Sequence, residues 1–256
     1  MKKTGRILRC VMACLVAIAV LASMVIANAY TNKYSSLVSV YFNAETQKII
    51  TEEGENSDYF TSDFTNESEM KQHLEDVGAQ IEAEGAVLLE NNGALPLKKN
   101  LSITLLGQDS VDLVYGGGGA GSVDTEKAVD LYTALEEAGY ELNPVVKDFY
   151  ENGDGQSYRK TVIDAYGQGE FAVNEVPVSE YDDEVKNSFA DYNDAAIVLI
   201  GRSGGESADL TTGKLASGSK YLELDANEID LINMASANFD KVIVLLNTQN
   251  PLEIGK

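Results

Sequence analysis

Hydrophobic and polar residues follow a pattern that changes twice along this chain. A charge-free apolar run occupies residues 10–27, and a stretch rich in Ser, Thr, Asn and Glu follows it. Beyond residue 65, short apolar runs alternate with segments whose apolar residues recur every three or four positions. The runs are typical of buried parallel strands, and the recurring spacing is typical of amphipathic helices. The pattern predicts an α/β domain with a mainly parallel sheet flanked by helices, preceded by an N-terminal hydrophobic helix.

Individual elements can be predicted from the same pattern. We predict strands over residues 102–106, 140–146, 195–200 and 240–247, and helices over residues 67–84, 126–138, 157–166, 180–192 and 226–238. Apolar spacing gives two of these helices an inward face, formed by Val129, Tyr132 and Leu135 in one and by Ile229, Ile232 and Met234 in the other. Residues 148–155 resemble a calcium loop, but its register fails at Tyr150, so a surface turn is predicted there.

The apolar run at residues 10–27 is predicted to be a targeting segment. Four basic residues precede it, which keeps that end of the chain in the cytoplasm. Ala27, Asn28 and Ala29 fit the small-x-small cleavage pattern, with Tyr30 as the first mature residue. The run is also close to the roughly 20 residues that span a bilayer. Residues 1–29 are therefore a cleaved signal peptide or a membrane anchor, and both alternatives place the remainder outside the cytoplasm, secreted or at the cell surface.

The remaining chain is predicted to have two parts, a polar tether over residues 30–65 and a globular domain over residues 66–256. Both cysteines lie in the leader, so the exported part has neither a disulfide nor a thiolate site. Removing the leader's four basic residues changes the formal charge from -22 to -26, which argues against nucleic acid as a partner. His73 is the one histidine and cannot build a zinc site alone. We expect no metal and no cofactor.

The strand at residues 195–200 leads into the strongest candidate site. Its apolar run breaks at Gly201, and the polar segment that follows contains Arg202, Glu206 and Asp209. Open α/β sheets bind ligands at the carboxyl ends of parallel strands, where this segment is predicted to lie. The alternative is an ordinary strand-to-helix loop in which the two carboxylates are solvated.

A glycine-rich run at residues 116–121 satisfies the G-x-G-x-x-G spacing of dinucleotide-binding loops. That fingerprint should follow its strand directly, whereas some eight residues intervene here. The acidic residue expected at the end of the next strand is missing, because Glu141 lies at that strand's start. A nucleotide-binding domain is therefore disfavoured. Two interpretations of the glycine-rich run are left open. It is a loop whose backbone approaches a ligand closely, or it is a mobile surface loop.

Four segments together resemble glycoside hydrolase family 3 β-glucosidases. The sequence GGESAD at residues 204–209 is similar to the family's S/G-G-E-G-x-D-R loop, although Ser207 replaces a glycine and Leu210 replaces an arginine. Residues 84–97 resemble the E-G-x-V-L-L-K-N-x-x-x-L-P-L segment, and residues 116–123 resemble a G-G-x-G-S-V-like loop. Residues 242–253 resemble V-V-V-L-N-x-x-N/G-P-M/L-E. The resemblance covers about residues 81–253.

The resemblance implies an α/β sandwich domain and specific roles for several residues. Glu206 is implied to be the catalytic acid/base, and Asp209 is implied to be structural rather than the nucleophile. The residues implied to bind substrate or support the loops are Gly117, Gly118, Gly119, Ser122, Arg202 and Asp209. The family's nucleophilic aspartate and its Lys-His pair lie on a separate barrel, and neither motif is found in this sequence. A barrel is expected downstream or as a separate chain, in permuted order.

These features predict the N-terminal part of an exported, retaining glycosidase that removes terminal β-linked glucose, or a related sugar, from oligosaccharides. This chain is expected to supply the acid/base carboxylate and to be inactive alone, because glycosidic bonds are usually cleaved by two carboxyl groups. The expected partners are an oligosaccharide or β-glucoside substrate, the barrel, and the membrane through the N-terminal helix. The alternative is a non-catalytic, surface-tethered carbohydrate-binding or interaction module.

Overall fold

The computed structural model describes residues 2–35, 39, 41–42, 62–117, 121, 123–125, 128–163, 168–206 and 209–255. They fall into two compact units, Met1–Val87 and Leu88–Lys256. The first unit contains α1 (Lys2–Lys33) and α2 (Glu67–Gly85). By length and composition, Gly5–Lys33 can cross a membrane, a criterion that a signal sequence near an N-terminus also meets.

Helix α2 confirms the helix predicted over residues 67–84. It begins after Asn66, whose side chain accepts a hydrogen bond from the backbone N–H of Glu69 at 2.9 Å. This contact satisfies one of the N–H groups that have no partner inside the first turn. His73 is exposed on this helix, and its ring centroid lies 5.2 Å from that of Phe64.

The second unit is built on a four-stranded sheet in the order β2-β1-β3-β4. Its strands are β1 (Ser102–Leu106), β2 (Glu141–Leu142), β3 (Ala195–Arg202) and β4 (Val242–Thr248), and each described pair is parallel. The unit's helices are α3 (Leu131–Glu137), α4 (Pro144–Glu151), α5 (Asp183–Ser188) and α6 (Ala226–Asn238). The architecture confirms the predicted α/β fold with a mainly parallel sheet flanked by helices.

Two hydrophobic clusters cover the two faces of the sheet. On β3, Ala196, Val198 and Ile200 belong to a cluster with residues of α4, α5 and α6. Ile197 and Leu199 point to the opposite face and pack with Tyr132 of α3. Because successive side chains of a strand alternate between faces, all eight residues of β3 are buried by the two clusters and the segments around them. The covering of both faces explains why residues 195–200 are a continuous apolar run.

The outer strand β4 is less well covered than β3. It pairs with β3 from Val242 to Thr248, and no other partner is found among the described residues. Val244, Leu245 and Leu246 are 42%, 40% and 38% exposed. Since these three residues alternate in direction, apolar surface is exposed on both faces of the strand.

Several predicted elements differ from the observed ones, and the differences have local causes. The helix predicted over 126–138 begins only at Leu131, because the Asp130 side chain accepts the backbone N–H of Thr133 at 2.9 Å. The strand predicted over 140–146 is wrong beyond Leu142, where Asn143 caps α4 and Pro144 occupies its first turn. A surface turn was predicted over residues 148–155, and this is wrong for residues 148–151, which form the last part of α4.

Other differences concern a loop and two helical faces. The helix predicted over 157–166 is wrong, because Thr161 forms an antiparallel bridge with Ala172; residues 164–167 lie outside the described residues. Val129 and Ile229, predicted to face inward, are 61% and 45% exposed. In α6 the fully buried positions are Glu228, Leu231 and Ala235, and Ile232 and Met234 are partly buried and pack against the same core cluster. The predicted inward face of this helix is therefore confirmed at Ile232 and Met234 and wrong at Ile229.

Candidate functional site

The two loops singled out in the sequence lie at the same edge of the sheet. Segment 107–117 follows β1, and the segment containing Glu206 follows the adjacent strand β3. They touch at two glycines, because a Cβ atom on Gly117 would lie 2.6 Å from the carbonyl oxygen of Gly204. A residue with a side chain at position 117 would not permit this approach. The structure therefore brings the start of the glycine-rich run to the loop that contains Glu206.

The segment after β4 joins the same contact. The side chain of Gln249 accepts a hydrogen bond from the backbone N–H of Gly204 at 2.7 Å. The same side chain lies about 3.2 Å from the Cβ position of Gly117, and a Cβ on Gly204 would lie 2.8 Å from the side-chain nitrogen of Asn250. The carboxyl ends of three neighbouring strands thus converge, the position where parallel sheets bind ligands.

A cavity of about 270 Å³ opens beside this contact. Its lining includes Gly116, Gly117, Asp112, Tyr115, Lys160 and Ser203. Hydrogen-bonding groups and one aromatic ring thus surround a space bounded by the glycine-rich segment and the residue that follows β3. Such a mixture of polar groups and an aromatic surface is suited to a small polar ligand.

The ammonium group of Lys160 joins the wall of the cavity to a buried carboxylate. Lys160 Nζ lies 2.7 Å from Asp109 Oδ1 and 2.9 Å from Asp112 Oδ2, and it also donates to the Asp112 carbonyl. Burial raises the pKa of Asp109, although the charge of Lys160 acts in the opposite direction. A Cβ on Gly201 would collide with the Asp109 carboxylate, so β3 needs glycine at this point.

A half-buried asparagine of β4, Asn247, fixes the segment that leads into the glycine-rich run. The Asn247 side chain accepts the backbone N–H of Val114 at 2.5 Å and donates to the Val114 carbonyl at 3.2 Å. These two bonds imitate the pairing of an extra strand. Segment 111–117 is thereby attached to the end of β4, although it has no regular secondary structure.

Glu206 is exposed and lies four residues beyond the end of β3. Gly205, directly before it, has a φ of 154°. Asp209 is also exposed. Of the other predicted site residues, Gly117 contacts Gly204 as described. Gly118, Gly119, Ser122 and the substituted position Ser207 lie outside the described residues.

Arg202 is buried rather than open to the cavity. Two of its N–H groups donate to the Glu228 carboxylate, at 2.6 and 2.7 Å. The others donate to the carbonyls of Tyr221 at 2.6 Å, Gly201 at 2.7 Å and Glu223 at 2.9 Å. All five N–H groups of the guanidinium are thus used inside the protein. Its contacts lie at the base of the Glu206 loop, not with solvent.

Tyr221 is a second contact at the base of the loop, which the sequence analysis did not identify. Its hydroxyl accepts the backbone N–H of Ser203 at 3.0 Å and donates to the Ser203 carbonyl at 2.8 Å. Glu228 was missed as well. Asp225 and Glu228 form a D-x-x-E capping box at the start of α6, which is visible in the sequence. The pairing of Glu228 with Arg202 is not visible there.

Within the residues that the structure describes, no group of three or more His, Cys, Asp or Glu side chains is arranged to hold a metal ion.

Comparison with known proteins gives consistent matches. Residues 86–256 match the Glycosyl hydrolase family 3 C-terminal domain. A β-glucosidase of Ruminococcus albus is 34% identical over 187 residues, covering 69% of this chain and 18% of that protein. β-Glucosidase A of Butyrivibrio fibrisolvens is 26% identical over 198 residues, covering 69% and 22%. The chain thus spans about a fifth of the length of these curated relatives.

Solved structures show the same fold. β-Glucosidase 3B from Thermotoga neapolitana, in complex with glucose, aligns with a TM-score of 0.58 and 29% identity, covering 75% of this chain and 26% of that one. A β-glucosidase from Paenibacillus barengoltzii aligns with a TM-score of 0.55 and 24% identity, covering 70% and 19%, and supports the fold alone.

Proposed function

This chain belongs to glycosyl hydrolase family 3, and we propose that it is part of an exported β-glucosidase-type hydrolase in which it supplies the catalytic acid/base, Glu206. Residues 1–29 are the leader or anchor, residues 30–65 the tether and residues 66–256 the sandwich domain. A barrel, downstream or on a separate chain, supplies the nucleophile. The proposed substrate is a β-glucoside or an oligosaccharide with a terminal β-linked glucose or related sugar.

The contact between Gly117 and Gly204 is the observation that carries this proposal. The contact joins the glycine-rich segment to the loop that contains Glu206, where the parallel strands have their carboxyl ends. Glu206 lies two residues after Gly204. A ligand in the adjoining cavity would contact Gly116, Gly117 and Ser203, and Ser203 lies three residues before the exposed Glu206. This arrangement supports a sugar-binding wall with an acid beside it.

The chemistry that follows is a double displacement. Glu206 protonates the glycosidic oxygen while the nucleophile attacks the anomeric carbon, so the leaving alcohol departs neutral. Glu206 then removes a proton from the water that hydrolyses the glycosyl-enzyme bond. Retaining enzymes hold the two carboxyl groups about 5 Å apart. Asp209 lies three residues from Glu206 on the same loop, and we assign it to loop support rather than to nucleophilic attack.

Conversion of Glu206 to Gln in the full-length enzyme tests this function. The change removes the proton donor with almost no change in side-chain size, and general acid–base catalysis contributes about 10²–10⁴ in rate. We expect a loss of that order in kcat/KM for an alkyl β-glucoside. Glu136→Gln, at an exposed position on α3, is the matched control and should leave the rate unchanged. A wild-type rate for Glu206→Gln contradicts the proposal.

A non-catalytic carbohydrate-binding module is the second candidate. The observation that favours it is that the cavity is formed by residues of this chain, including Asp112, Tyr115 and Lys160. A binding module retains its affinity for glucosides when Glu206 becomes Gln and shows no hydrolysis in either form. The comparison of Glu206→Gln with wild type therefore separates the two functions.

A further inference from the structure

Arg202, Tyr221 and Glu228 join the two ends of the Glu206 loop, and we call these three residues the loop clamp. We propose that the loop clamp positions Glu206 for proton transfer, so that these side chains set the efficiency of the acid without touching substrate. This inference rests on the proposed function, because it concerns the loop of the proposed acid. It adds three positioning residues, of which only Arg202 was expected to have a role in the site.

The first part of the loop clamp is the tyrosine hydroxyl. Tyr221 and Ser203 are 18 positions apart in the chain, on either side of the loop. The hydroxyl uses its proton for the Ser203 carbonyl and a lone pair for the Ser203 N–H. Because Tyr221 is 1% exposed, water does not compete for these bonds. The backbone at Ser203, three residues before Glu206, is therefore held in one orientation.

The second part is the ion pair at the base of the loop. Arg202 and Glu228 are 0% and 1% exposed, and the guanidinium meets the carboxylate in a two-bond, fork-to-fork arrangement. Planar pairs of this kind fix orientation as well as distance. A buried ion pair often adds little to stability compared with apolar side chains of equal size. We infer that its role in this protein is to fix the geometry of the loop.

The third part is the returning end of the loop. Arg202 donates to the carbonyls of Tyr221 and Glu223, and Glu228 accepts the backbone N–H of Asp225 at 2.7 Å. One carboxylate therefore closes the loop and caps α6 at the same time. The outgoing end at Ser203 and the returning end at Tyr221 are thus attached to a helix packed on the sheet.

Catalysis is sensitive to this geometry. A misplacement of about 1 Å can cost roughly 10² in rate. An acid that is slightly displaced slows the cleavage of substrates whose leaving group needs a proton. It has little effect on substrates whose leaving group departs as a stable anion. Loss of the loop clamp should therefore lower the rate for substrates with poor leaving groups more than the rate for substrates with good ones. A general loss of folded protein lowers both rates equally.

The test uses Tyr221→Phe in the full-length enzyme. This variant removes one oxygen and no charge, whereas Arg202 or Glu228 variants leave an unpaired buried charge and risk misfolding. We expect kcat/KM for phenyl β-glucoside to fall by about tenfold or more, because the variant loses both hydrogen bonds between the Tyr221 hydroxyl and the Ser203 backbone. The value for 2,4-dinitrophenyl β-glucoside should change by less than about twofold, because that leaving group needs no proton.

Tyr181→Phe is the matched control. Tyr181 is also a buried tyrosine, 1% exposed, and its hydroxyl is paired with that of Tyr150 in the cluster under α4 and α5. It should lower thermal stability without changing the ratio of the two rates. An equal loss on both substrates in Tyr221→Phe, or the same change of ratio in Tyr181→Phe, overturns the inference. If Glu206→Gln keeps wild-type rates, the proposed function fails instead.

Hydrogen exchange on the 256-residue chain tests the loop clamp without any activity. In wild type the Ser203 amide should be protected by the Tyr221 hydroxyl. Tyr221→Phe should speed its exchange by about tenfold or more. Tyr181→Phe should leave the Ser203 amide unchanged. Wild-type protection of Ser203 in Tyr221→Phe contradicts the loop clamp, whatever the kinetics show.

Discussion

Gly117 stands against the carbonyl oxygen of Gly204, so close that a Cβ atom on Gly117 would lie 2.6 Å from it. These residues belong to loops that are far apart in the sequence but follow adjacent parallel strands. Glycine at position 117 lets the two backbones meet, and Gly117 also lines the cavity. The contact links the position of the glycine-rich segment to that of the loop of Glu206.

Gly117→Ala is therefore expected to displace the loop of Glu206. The added methyl group must move the backbone at Gly204, because no flexible side chain can yield to it there. We expect kcat/KM for an alkyl β-glucoside to fall by about tenfold or more in the full-length enzyme. Gly121→Ala is the matched control from the same run, since its Cβ would meet no atom of the described residues within 4 Å. Equal rates in the two variants contradict this account of the contact.

Asn247→Ala should loosen the segment that precedes the glycine-rich run. The change removes both side-chain bonds to Val114 and leaves a half-buried backbone N–H without its partner. A cost of about 1–3 kcal/mol in the free energy of unfolding is expected, and denaturant titration measures it. Asn233→Ala, at an exposed position of α6, should cost much less. If Asn247→Ala has the wild-type free energy of unfolding, the two hydrogen bonds to Val114 do not stabilise the protein and the prediction is wrong.

The buried carboxyl group of Glu175 should make the free energy of unfolding depend on pH. Its carboxyl group is buried, and burial raises its pKa well above the usual value, against the effect of the Val176 N–H bonded to it. In the folded state the group therefore retains its proton at a pH where the unfolded chain has lost it. Its contribution to stability is complete below the unfolded pKa of about 4.5 and decreases as pH rises toward the folded pKa.

Glu175→Gln should remove this component, because an amide does not titrate. The wild-type free energy of unfolding is expected to decrease by up to about 1.4 kcal/mol per pH unit above pH 4.5, relative to the variant. Denaturant titrations of both proteins between pH 5 and 8 measure the difference. Glu137→Gln, an exposed carboxyl group on α3, is the control and should follow wild type. Parallel curves for wild type and Glu175→Gln refute the prediction.

The isolated chain provides another prediction. Glycosidic bond cleavage of the proposed kind needs two carboxyl groups, and we propose that the nucleophile lies on the barrel. Purified residues 30–256 are therefore expected to release no p-nitrophenol from p-nitrophenyl β-glucoside above the uncatalysed rate. Addition of the barrel should restore hydrolysis. Turnover by the isolated chain would place the nucleophile on this chain. That result contradicts the proposal that the acid/base and the nucleophile lie on different domains.

Much of the sheet could be predicted from the sequence because its strands are local features. β1 and β3 are apolar runs that end close to a glycine, and their bounds were predicted to within two residues. The start of α4 was missed because Val145 and Val146 suggest a strand. Asn143 and Pro144 form a helix start there instead, and both hydrogen bonds of the Asn143 cap go to those valines. A local capping signal overrode the β-branched pattern.

The parts of the site that escaped prediction depend on long-range contacts. The order of the strands decides that segment 107–117 lies next to the loop of Glu206, and no local pattern shows that order. Arg202 and Glu228 are 26 positions apart, and neither residue type identifies its partner. The family resemblance located Glu206, but it gave no indication of how Tyr221 and Glu228 hold the loop.

Azide rescue of Glu206→Ala in the full-length enzyme distinguishes an acid/base carboxylate from a residue with any other role. With 2,4-dinitrophenyl β-glucoside the glycosyl-enzyme forms without an acid, and water then attacks slowly because no base remains. Azide needs no base and fits the space left by the carboxylate. If Glu206 is the acid/base, azide should accelerate turnover and yield β-glucosyl azide. No acceleration, or α-glucosyl azide as the product, contradicts the assignment of Glu206 as the acid/base.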